Sequence, residues 1–516
     1  MERKVAIIGA GVSGLLACKY TLSKGFNPIV FESQASIGGV WTKALQTTKL
    51  QTPKPLYQFS DFPWPPLVTE DFPDKHKVFD YVKAYAKHFD LLKHIKFNTR
   101  VAGIEYEGAR DEEIQSWSSW GGTGEPFSPM GKWKLVVEDL NTQSTQMYLV
   151  DFVIICVGRF SGVPNIPEFP PNKGPEAFHG KVIHSMDYAA MEDVKAVEFI
   201  KGKRVIVVGF QKSALDIAME CCTANGMEKP CTVLYRTAHW NLPDYLPWGF
   251  SLAHMYLTRF SELMVHKPGE GLLLGLLATV LAPLRWARSK FVESDIKRKL
   301  RLVKNGTVPT HSFLHEISSC LISTVPEKFY DKVEDGEIKL KKAPGFSFGH
   351  DGVLVDGETA PIEADVVVLA TGFKGEKKLK DIFVSKTFQN FIAGSHDAAI
   401  PLYRECIPPR IPQLAVIGYS ESVANLYTSE IRCQWLVELL DGTFKLPSIE
   451  EMEKDVKEWE DYLKQYSGVN YKRKCIGALH VWYNDQLCKD MGWNPRRKKT
   501  LFAELFEPYG PLDYAQ

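Results

Sequence analysis

Two glycine-rich turns in the chain have a spacing that could bind phosphates. In KVAIIGAGVSGLLACKY, Gly9, Gly11 and Gly14 follow an apolar strand and open a helix. The first glycine permits a tight turn, the second lets the backbone approach a pyrophosphate, and the third lets the helix pack closely on the strand. The helix start offers free N–H groups to the phosphates. The next predicted strand, NPIVFE, ends in Glu32, whose carboxylate suits ribose hydroxyls and repels a 2′-phosphate, so this turn predicts an FAD or NAD site.

The second turn, GKRVIVVGFQKSALDIA, repeats this pattern with one change. Gly209 keeps the first position and Ala214 takes the third, but Gln211 replaces the second glycine. A Cβ atom there should push the pyrophosphate outward and weaken the site without erasing it, while Ser213 offers a hydroxyl at the helix start. The next strand, CTVLYR, ends in Arg236, whose forked donors suit a 2′-phosphate. We therefore predict an NADPH site, and the alternative is that Arg236 is only a solvated cation.

These turns must be positioned by strands and helices that alternate at the start of the chain and again near residue 203. The pattern predicts an α/β fold with two Rossmann-like dinucleotide-binding domains, the NADPH domain being inserted in the FAD domain. We expect residues 1–168 to form the first part of the FAD domain. Residues 169–330 should form the NADPH domain, with an apolar helical insertion at about 245–300. Residues 331–516 should return to the FAD domain and end in helices.

Composition narrows the class of protein. The 516 residues are 45% hydrophobic, and 62 basic side chains balance 62 acidic ones, which argues against nucleic-acid binding. The first apolar run is too short for a signal peptide, and the ten cysteines form no CxxC pair. We therefore expect a cytoplasmic protein with reduced thiols. No cluster with metal-ligand spacing occurs, so no metal site is predicted.

One apolar segment, GLLLGLLATVLAPLRWA at residues 271–287, complicates this description. A membrane-spanning helix needs about 20 such residues, so this one falls short. We predict a buried helix pair, or one that lines a substrate channel. One alternative is an interfacial patch that contacts lipid beside the basic residues that follow, for example at the surface of the endoplasmic reticulum. The other is a membrane-spanning segment.

A further motif, FHGKVIHSMDY, contains Phe178, Gly180, His184, Ser185 and Tyr188. These residues fit the identifying pattern of the flavin-containing monooxygenases, and the resemblance to that family covers nearly the whole chain. ATGF at 370–373 resembles the family's strand-to-turn motif. GGVW resembles its flavin-contacting loop, which would place Gly38, Gly39 and Trp41 at the cofactor. TTKLQTPKPLYQFSDFPWP and NLYTSEIR look like the plant branch, in particular its pipecolate N-hydroxylating members of systemic acquired resistance.

The resemblance implies an FAD- and NADPH-dependent monooxygenase whose C4a-hydroperoxyflavin passes one oxygen from O₂ to a nucleophilic nitrogen or sulfur. It implies a small-molecule substrate, with pipecolate or a related amine in plant defence as the best candidate. Gln51 stands where the family has a catalytic asparagine and offers the same amide one methylene further out. Arg432 and Lys54 are candidates for binding the substrate carboxylate.

Two alternatives remain open from the residues. The first is a broad N- or S-oxygenase of amines or thioethers. The second is a disulfide reductase, which needs a cysteine pair near the flavin, or a non-catalytic sensor of flavin or NADPH. The chain contains neither CxxC nor CxxxxC, which argues against the reductase, whereas Gln211 favours the sensor.

Overall fold

The computed structural model describes residues 3–128, 131–395 and 397–515. The strands of this part of the chain are β1 (Lys4–Ile8), β2 (Asn27–Phe31), β3 (Ile95–Lys96), β4 (Thr99–Glu107), β5 (Lys132–Asp139), β6 (Thr145–Val150), β7 (Phe152–Ile155), β8 (Lys181–His184), β9 (Val205–Val208), β10 (Cys231–Tyr235), β11 (Ile338–Lys342), β12 (Phe346–Gly349), β13 (Gly352–Val355), β14 (Ile362–Glu363), β15 (Val366–Leu369) and β16 (Leu414–Val416).

The α-helices are α1 (Val12–Ser23), α2 (Lys75–His88), α3 (Asp111–Ser116), α4 (Ser185–Ala189), α5 (Asp193–Ile200), α6 (Lys212–Asn225), α7 (Leu252–Tyr256), α8 (Arg259–Leu263), α9 (Leu272–Val280), α10 (Ala282–Lys299), α11 (Phe313–Ser318), α12 (Phe329–Glu334), α13 (Gly375–Asp381), α14 (Lys386–Ala393), α15 (Asn425–Leu440), α16 (Ile449–Ser467), α17 (His480–Asp490) and α18 (Leu501–Phe506).

Two five-stranded parallel sheets organise the molecule. The first has the order β16-β7-β1-β2-β3 and the second the order β11-β10-β9-β15-β8. A three-stranded antiparallel sheet accompanies each, β4-β5-β6 for the first and β12-β13-β14 for the second. The central strands are apolar because both of their faces are buried. The prediction of an α/β fold with two Rossmann-like domains, one inserted in the other, is confirmed.

The sheet pairing corrects the predicted boundary at residue 330. Strand β11 pairs with β10, and β15 pairs with both β9 and β8, so both strands belong to the second sheet. The chain re-enters the first sheet only at β16, which pairs with β7. The segment ADVVVLATGF therefore belongs to the second domain. Its strand is apolar on both faces, so its pattern fits either sheet. Only the long-range pairing decides which of the two sheets the strand joins.

The apolar segment 271–287 folds as two helices, α9 and the start of α10, but the prediction that it is buried is wrong. Leu272 and Leu273 are 94% and 84% exposed, and Leu276, Val280 and Trp286 are exposed as well. Within the described residues no single helix has the length and apolarity to cross a membrane. The pair α9 and α10, bent by 48°, reaches that threshold only when taken together and by length and composition alone.

Two cysteines depart from the expectation of reduced thiols. Cys320 and Cys475 form a disulfide across 155 residues of sequence, with Cα atoms 5.5 Å apart. The other eight cysteines are free and buried. The disulfide joins the segment after α11 to the segment before α17, which is a pairing that the sequence spacing does not reveal.

Candidate functional site

A single cavity of about 1790 Å³ joins the two glycine-rich turns. Parallel sheets bind ligands outside the carboxyl ends of their strands, and both turns follow such strand ends. Residues from the predicted cofactor and catalytic set line this cavity, namely Gly9, Gly11, Glu32, Gly38, Gly39, Trp41, Gln51, Gly209, Gln211, Ser213 and Arg236. Gly14 lies behind the wall and is buried. Folding thus gathers residues from both predicted sites around one space.

The three glycines of the first turn are required for different reasons. Gly9 has φ +104°, and a Cβ atom there would lie 2.6 Å from the carbonyl oxygen of Cys156. A Cβ atom on Gly14 would collide with the carbonyl oxygen of Gly9. Gly11 has φ −72°, and its Cβ atom would meet only Gly39, at 3.6 Å from the Cα atom and 3.9 Å from the nitrogen. The protein itself therefore tolerates a side chain at residue 11, and only a ligand in the cavity would exclude it.

Glu32 lies at the end of β2, directly beside the first turn. One carboxylate oxygen accepts from the Ala10 N–H at 2.7 Å and the other from the Gln34 N–H at 2.8 Å. These bonds hold the side chain in the cavity wall. A carboxylate fixed there can accept further hydrogen bonds from the ribose of a dinucleotide.

The loop at 38–41 packs against the same turn. The Gly38 N–H donates to the carbonyl of Ala10 at 3.0 Å. A Cβ atom on Gly39 would lie 3.1 Å from the Cα atom of Gly11, so a side chain there would press on the turn. The Trp41 indole donates to the Tyr57 hydroxyl at 2.8 Å, which fixes an aromatic surface at the cavity.

Gln51 reaches the cavity from a loop that is held at both sides. Its backbone carbonyl accepts from the Tyr245 hydroxyl at 2.8 Å, and the next residue, Thr52, donates to the carbonyl of Val423 at 2.9 Å. The side-chain oxygen of Gln51 is buried without a hydrogen-bond partner in the described residues. Buried acceptors rarely stay unpaired, so this oxygen fits the ring N–H donors of a bound flavin.

The second turn keeps only the glycine that its backbone requires. Gly209 has φ +139°, and a Cβ atom there would lie 2.6 Å from the carbonyl oxygen of Ala370. Gln211 has φ −113° and ψ −177°, which is extended backbone that any residue adopts. Its side-chain amide donates to the carbonyl of Leu321 at 3.2 Å. Gln211 therefore ties the start of α6 to the segment after α11.

We expect Gln211→Gly to bind NADP⁺ as tightly as the wild-type chain, or more tightly, because its side chain is anchored on Leu321. The lost hydrogen bond should lower the free energy of unfolding by about 1 kcal/mol. Titration of NADP⁺ and thermal unfolding measure the two effects separately. A tenfold weaker NADP⁺ affinity would show instead that the amide is itself a ligand of the dinucleotide.

The hydrogen bonds of the two turns show which residue of the second domain occupies the position of Glu32. The Gly9 N–H donates to the carbonyl of Phe31, and the Gly209 N–H donates to that of Leu234, both at 2.8 Å. The residue that matches Glu32 is therefore Tyr235, and Arg236 lies one position further. Arg236 is exposed at the cavity and has no ion-pair partner in the part of the chain that the structure describes. Its guanidinium is thus free to bind a phosphate.

The motif at 178–188 forms the corner between β8 and α4. A Cβ atom on Gly180 would lie 2.5 Å from the carbonyl oxygen of Asp365, so the glycine lets two strands approach. The His184 ring accepts from the Met186 N–H at 3.1 Å and caps α4. The buried Tyr188 donates to Glu220 at 2.9 Å. These residues shape the wall of the second domain.

Sequence reasoning missed several charged side chains in the cavity wall, among them Arg159, Glu421 and Arg473. Arg159 and Glu421 each follow an apolar strand that ends at the cavity, which is a signal the sequence does carry. Arg473 has no such signal. Neither predicted carboxylate partner lies in the cavity wall, because Arg432 is buried against Tyr483 and Lys54 donates to the carbonyl of Val68.

A buried carboxylate beside the second turn organises two histidines. Glu316 accepts from His239 Nδ1 at 2.8 Å, from the Trp240 N–H at 3.2 Å and from His311 Nε2. Burial opposes its ionisation, but the hydrogen bonds from the two histidines outweigh that effect and lower the pKa of Glu316 to about 2. The three ligand atoms lie within 4.8 Å of one another and could also hold a metal ion. The absence of a metal site stays a prediction.

We expect Glu316→Gln to lower the free energy of unfolding by about 3 kcal/mol at neutral pH, because each pKa unit corresponds to about 1.4 kcal/mol. The folded-state pKa is depressed, so this stabilisation is complete above the unfolded value near 4.5 and is lost as the pH falls toward 2. Between pH 7 and pH 3 the difference between the unfolding free energies of the two proteins, measured from their unfolding curves, should shrink by about half. If the difference between the unfolding free energies of the two proteins stayed constant with pH, an ionised Glu316 would be contradicted.

Comparisons with known proteins agree with this geometry. The family model described as flavin-binding monooxygenase-like matches residues 2–505. A probable flavin-containing monooxygenase 1 of Arabidopsis thaliana is 42% identical, over 99% of this chain and 96% of that protein. A rabbit (Oryctolagus cuniculus) dimethylaniline monooxygenase, N-oxide-forming, is 27% identical, over 98% of this chain and 85% of that protein.

Solved structures share the fold at lower identity. The S-allyl-L-cysteine S-oxygenase of Allium sativum superposes with a TM-score of 0.60 at 16% identity, over 96% of this chain and 89% of that one. The family match and the two dinucleotide turns that line one cavity together assign the chain to a family. The chain belongs to the flavin-binding monooxygenase-like family and is an oxidoreductase whose cofactors are FAD and NADPH.

Proposed function

We propose that this monooxygenase transfers oxygen to the nitrogen of a small amine that also carries a carboxylate, with N-hydroxylation of pipecolate in plant defence as the specific reaction. The observation that carries this proposal is the ionic part of the cavity wall, where Arg159 and Arg473 flank Glu421. Support comes from the plant relative at 42% identity and from the S-allyl-L-cysteine oxygenase, whose name specifies an amino-acid substrate.

The cofactors supply the redox chemistry, since NADPH provides electrons and FAD activates O₂. The protein chain would bind both cofactors and control which molecules reach them. The start of α1 and Glu32 would bind the FAD pyrophosphate and ribose, and Arg236 would bind the phosphate that distinguishes NADPH from NADH. Gln51 would position the flavin by accepting a hydrogen bond at its unpaired amide oxygen.

Purified enzyme with NADPH and O₂ tests the proposal when pipecolate, proline, a tertiary amine and a thioether are assayed in parallel by mass spectrometry. We expect hydroxylated pipecolate to be the dominant product. Rapid oxidation of the thioether or tertiary amine without pipecolate turnover would contradict the specific reaction. That result would leave the broad N- or S-oxygenase, which the relative named for N-oxide formation favours.

The other two alternatives are weaker. Cys320 lines the cavity and is paired with Cys475, so the lack of a CxxC motif does not by itself exclude a reductase. Membership of a monooxygenase family argues against it instead. The main support for a sensor was Gln211 in place of a glycine. Because its side chain is anchored on Leu321, this residue is no longer a strong argument for a lost catalytic site.

We also propose that the protein is cytoplasmic and touches a membrane, such as the endoplasmic reticulum, through the exposed face of α9. Leu272, Leu273 and Leu276 form a contiguous apolar surface there. The basic side chains of α10 are largely engaged, because Lys290 pairs with Glu293 and Arg298 pairs with Asp295. Apolar insertion rather than attraction to anionic lipid should therefore dominate binding.

Sedimentation with vesicles tests this contact. We expect the protein to bind neutral phosphatidylcholine vesicles nearly as well as vesicles that contain phosphatidylserine. Serine substitutions at Leu272, Leu273 and Leu276 should abolish binding, whereas Leu67→Ser, at another exposed leucine, should not. Equal binding by the two variants, or none by the wild-type protein, would contradict the proposal.

A further inference from the structure

Three charged side chains meet in the cavity wall between the two domains. Glu421 accepts from Arg473 Nη2 at 2.7 Å through one carboxylate oxygen. The other oxygen lies 3.9 Å from Arg159 Nε. All three side chains line the cavity, and the Glu421 side chain is only 8% exposed. Arg159 Nη2 also lies 3.9 Å from a carboxylate oxygen of Glu376, so two positive and two negative charges meet here.

Backbone hydrogen bonds hold the cluster rigidly. Arg159 donates to the carbonyls of Lys472 and Arg473 at 3.0 and 3.1 Å. The Glu421 N–H donates to the carbonyl of Lys474 at 3.3 Å, and the carbonyl of Glu421 accepts from the Ile476 N–H at 2.9 Å. Three distant segments are thereby locked together, so the charges are in place before any ligand arrives.

The cluster is incompletely satisfied. Glu421 Oε1 and Arg473 Nε are buried without hydrogen-bond partners among the residues that the structure describes. An unpaired buried acceptor and donor destabilise a fold unless a ligand completes them. The free acceptor on Glu421 can bind a cationic group and the free donor on Arg473 an anionic group. The pair therefore matches a ligand that carries a cation and an anion close together.

We propose that Arg159, Glu421 and Arg473 form the subsite for a zwitterionic amino acid, with Arg473 receiving the carboxylate and Glu421 the ammonium group. This inference rests on the N-oxygenation proposed above and names the residues that select its substrate. Arg159 acts as a positioning residue, because its guanidinium is occupied by backbone carbonyls and holds Arg473 and Glu421 in register.

The same geometry provides the proton transfer that N-oxygenation needs. An ammonium nitrogen has no lone pair, so it cannot attack an electrophilic oxygen. An N–H bond of the substrate breaks, an O–H bond forms on Glu421 Oε1, and the electron pair stays on nitrogen. Burial raises the pKa of Glu421 although Arg473 and Arg159 oppose that effect, which makes the carboxylate a better proton acceptor.

Calorimetry on the holoenzyme with FAD and NADP⁺ tests the binding step with pipecolate, with piperidine, which lacks the carboxylate, and with cyclohexanecarboxylate, which lacks the amine. We expect pipecolate to bind at least about tenfold more tightly than either analogue, because one charge-assisted contact accounts for that factor. Equal affinities of pipecolate and piperidine would overturn the carboxylate site.

Variants separate the carboxylate-binding role of Arg473 from the ammonium-binding and proton-accepting role of Glu421. Arg473→Gln should weaken pipecolate binding at least about tenfold and affect piperidine binding clearly less, because only pipecolate loses a carboxylate contact. Glu421→Gln should lower kcat/KM for both amines and leave oxidation of a neutral thioether unchanged. The control is Glu453→Gln, which breaks a Glu–Arg pair with Arg410 outside the cavity and should change none of these values.

Failure of the inference is distinct from failure of the proposed function. If the wild-type enzyme hydroxylates pipecolate but Glu421→Gln loses amine and thioether turnover equally, or loses FAD, the cluster supports the cofactor or the fold and the inference is wrong. If the wild-type enzyme oxidises thioethers and binds no pipecolate, the proposed amine reaction fails and the subsite fails with it.

Discussion

Gly11→Ala should give a folded but colourless protein that binds FAD about a hundredfold more weakly, a loss of about 3 kcal/mol. Gly11 caps α1 in an extended conformation with φ −72° and ψ −175°, which alanine adopts without strain. The added methyl group would touch only Gly39, at ordinary contact distance. It would nevertheless stand where the pyrophosphate must approach the free N–H groups of the helix start. Flavin absorbance of the purified protein and back-titration with FAD measure the effect.

The matched control for this experiment is Gly271→Ala. Gly271 also caps a helix, α9, with φ −77° and ψ 164°, and a Cβ atom there would meet nothing within 4 Å. Replacement of a capping glycine by alanine should cost about 1 kcal/mol of stability. It reaches no cofactor site, so Gly271→Ala should stay fully yellow. If Gly11→Ala kept its full FAD content as well, the pyrophosphate would not bind at the first turn.

Arg236→Ala should raise the KM for NADPH ten- to a hundredfold and leave that for NADH nearly unchanged. One charge-assisted contact to the 2′-phosphate contributes about 1.5–3 kcal/mol, which corresponds to this range. Arg236 is exposed at the cavity and is not engaged by another described residue, so no internal ion pair competes with the phosphate. Steady-state kinetics with both nicotinamide cofactors on one enzyme preparation measure the change.

NADH serves as the internal control, and Arg236→Lys serves as the conservative variant. Lysine keeps the charge but loses the forked donors, so its NADPH defect should be smaller than that of alanine. Equal losses for NADPH and NADH in Arg236→Ala would mean that the side chain supports the strand end, without recognising the phosphate.

Local patterns predicted the two turns because each depends on a few consecutive residues. The positive φ angles of Gly9 and Gly209 and the carboxylate at the end of β2 follow from strand, turn and helix chemistry within about thirty residues. Glu32 and Arg236 were each predicted to end a strand, but the hydrogen-bond register places Arg236 one residue beyond the position that matches Glu32.

The sequence by itself thus determined the two Rossmann-like domains and the residues of their turns, since these are properties of local spacing. Its further motifs indicated the family by resemblance. Only the tertiary structure decided that β11 and β15 join the second sheet, that α9 is exposed, and that Cys320 meets Cys475. It also brought Glu421 to two arginines from distant segments. The physical reason is that an apolar strand, an apolar helix, a cysteine or a charge has the same local sequence whichever partner it finds. The partner is chosen by long-range packing.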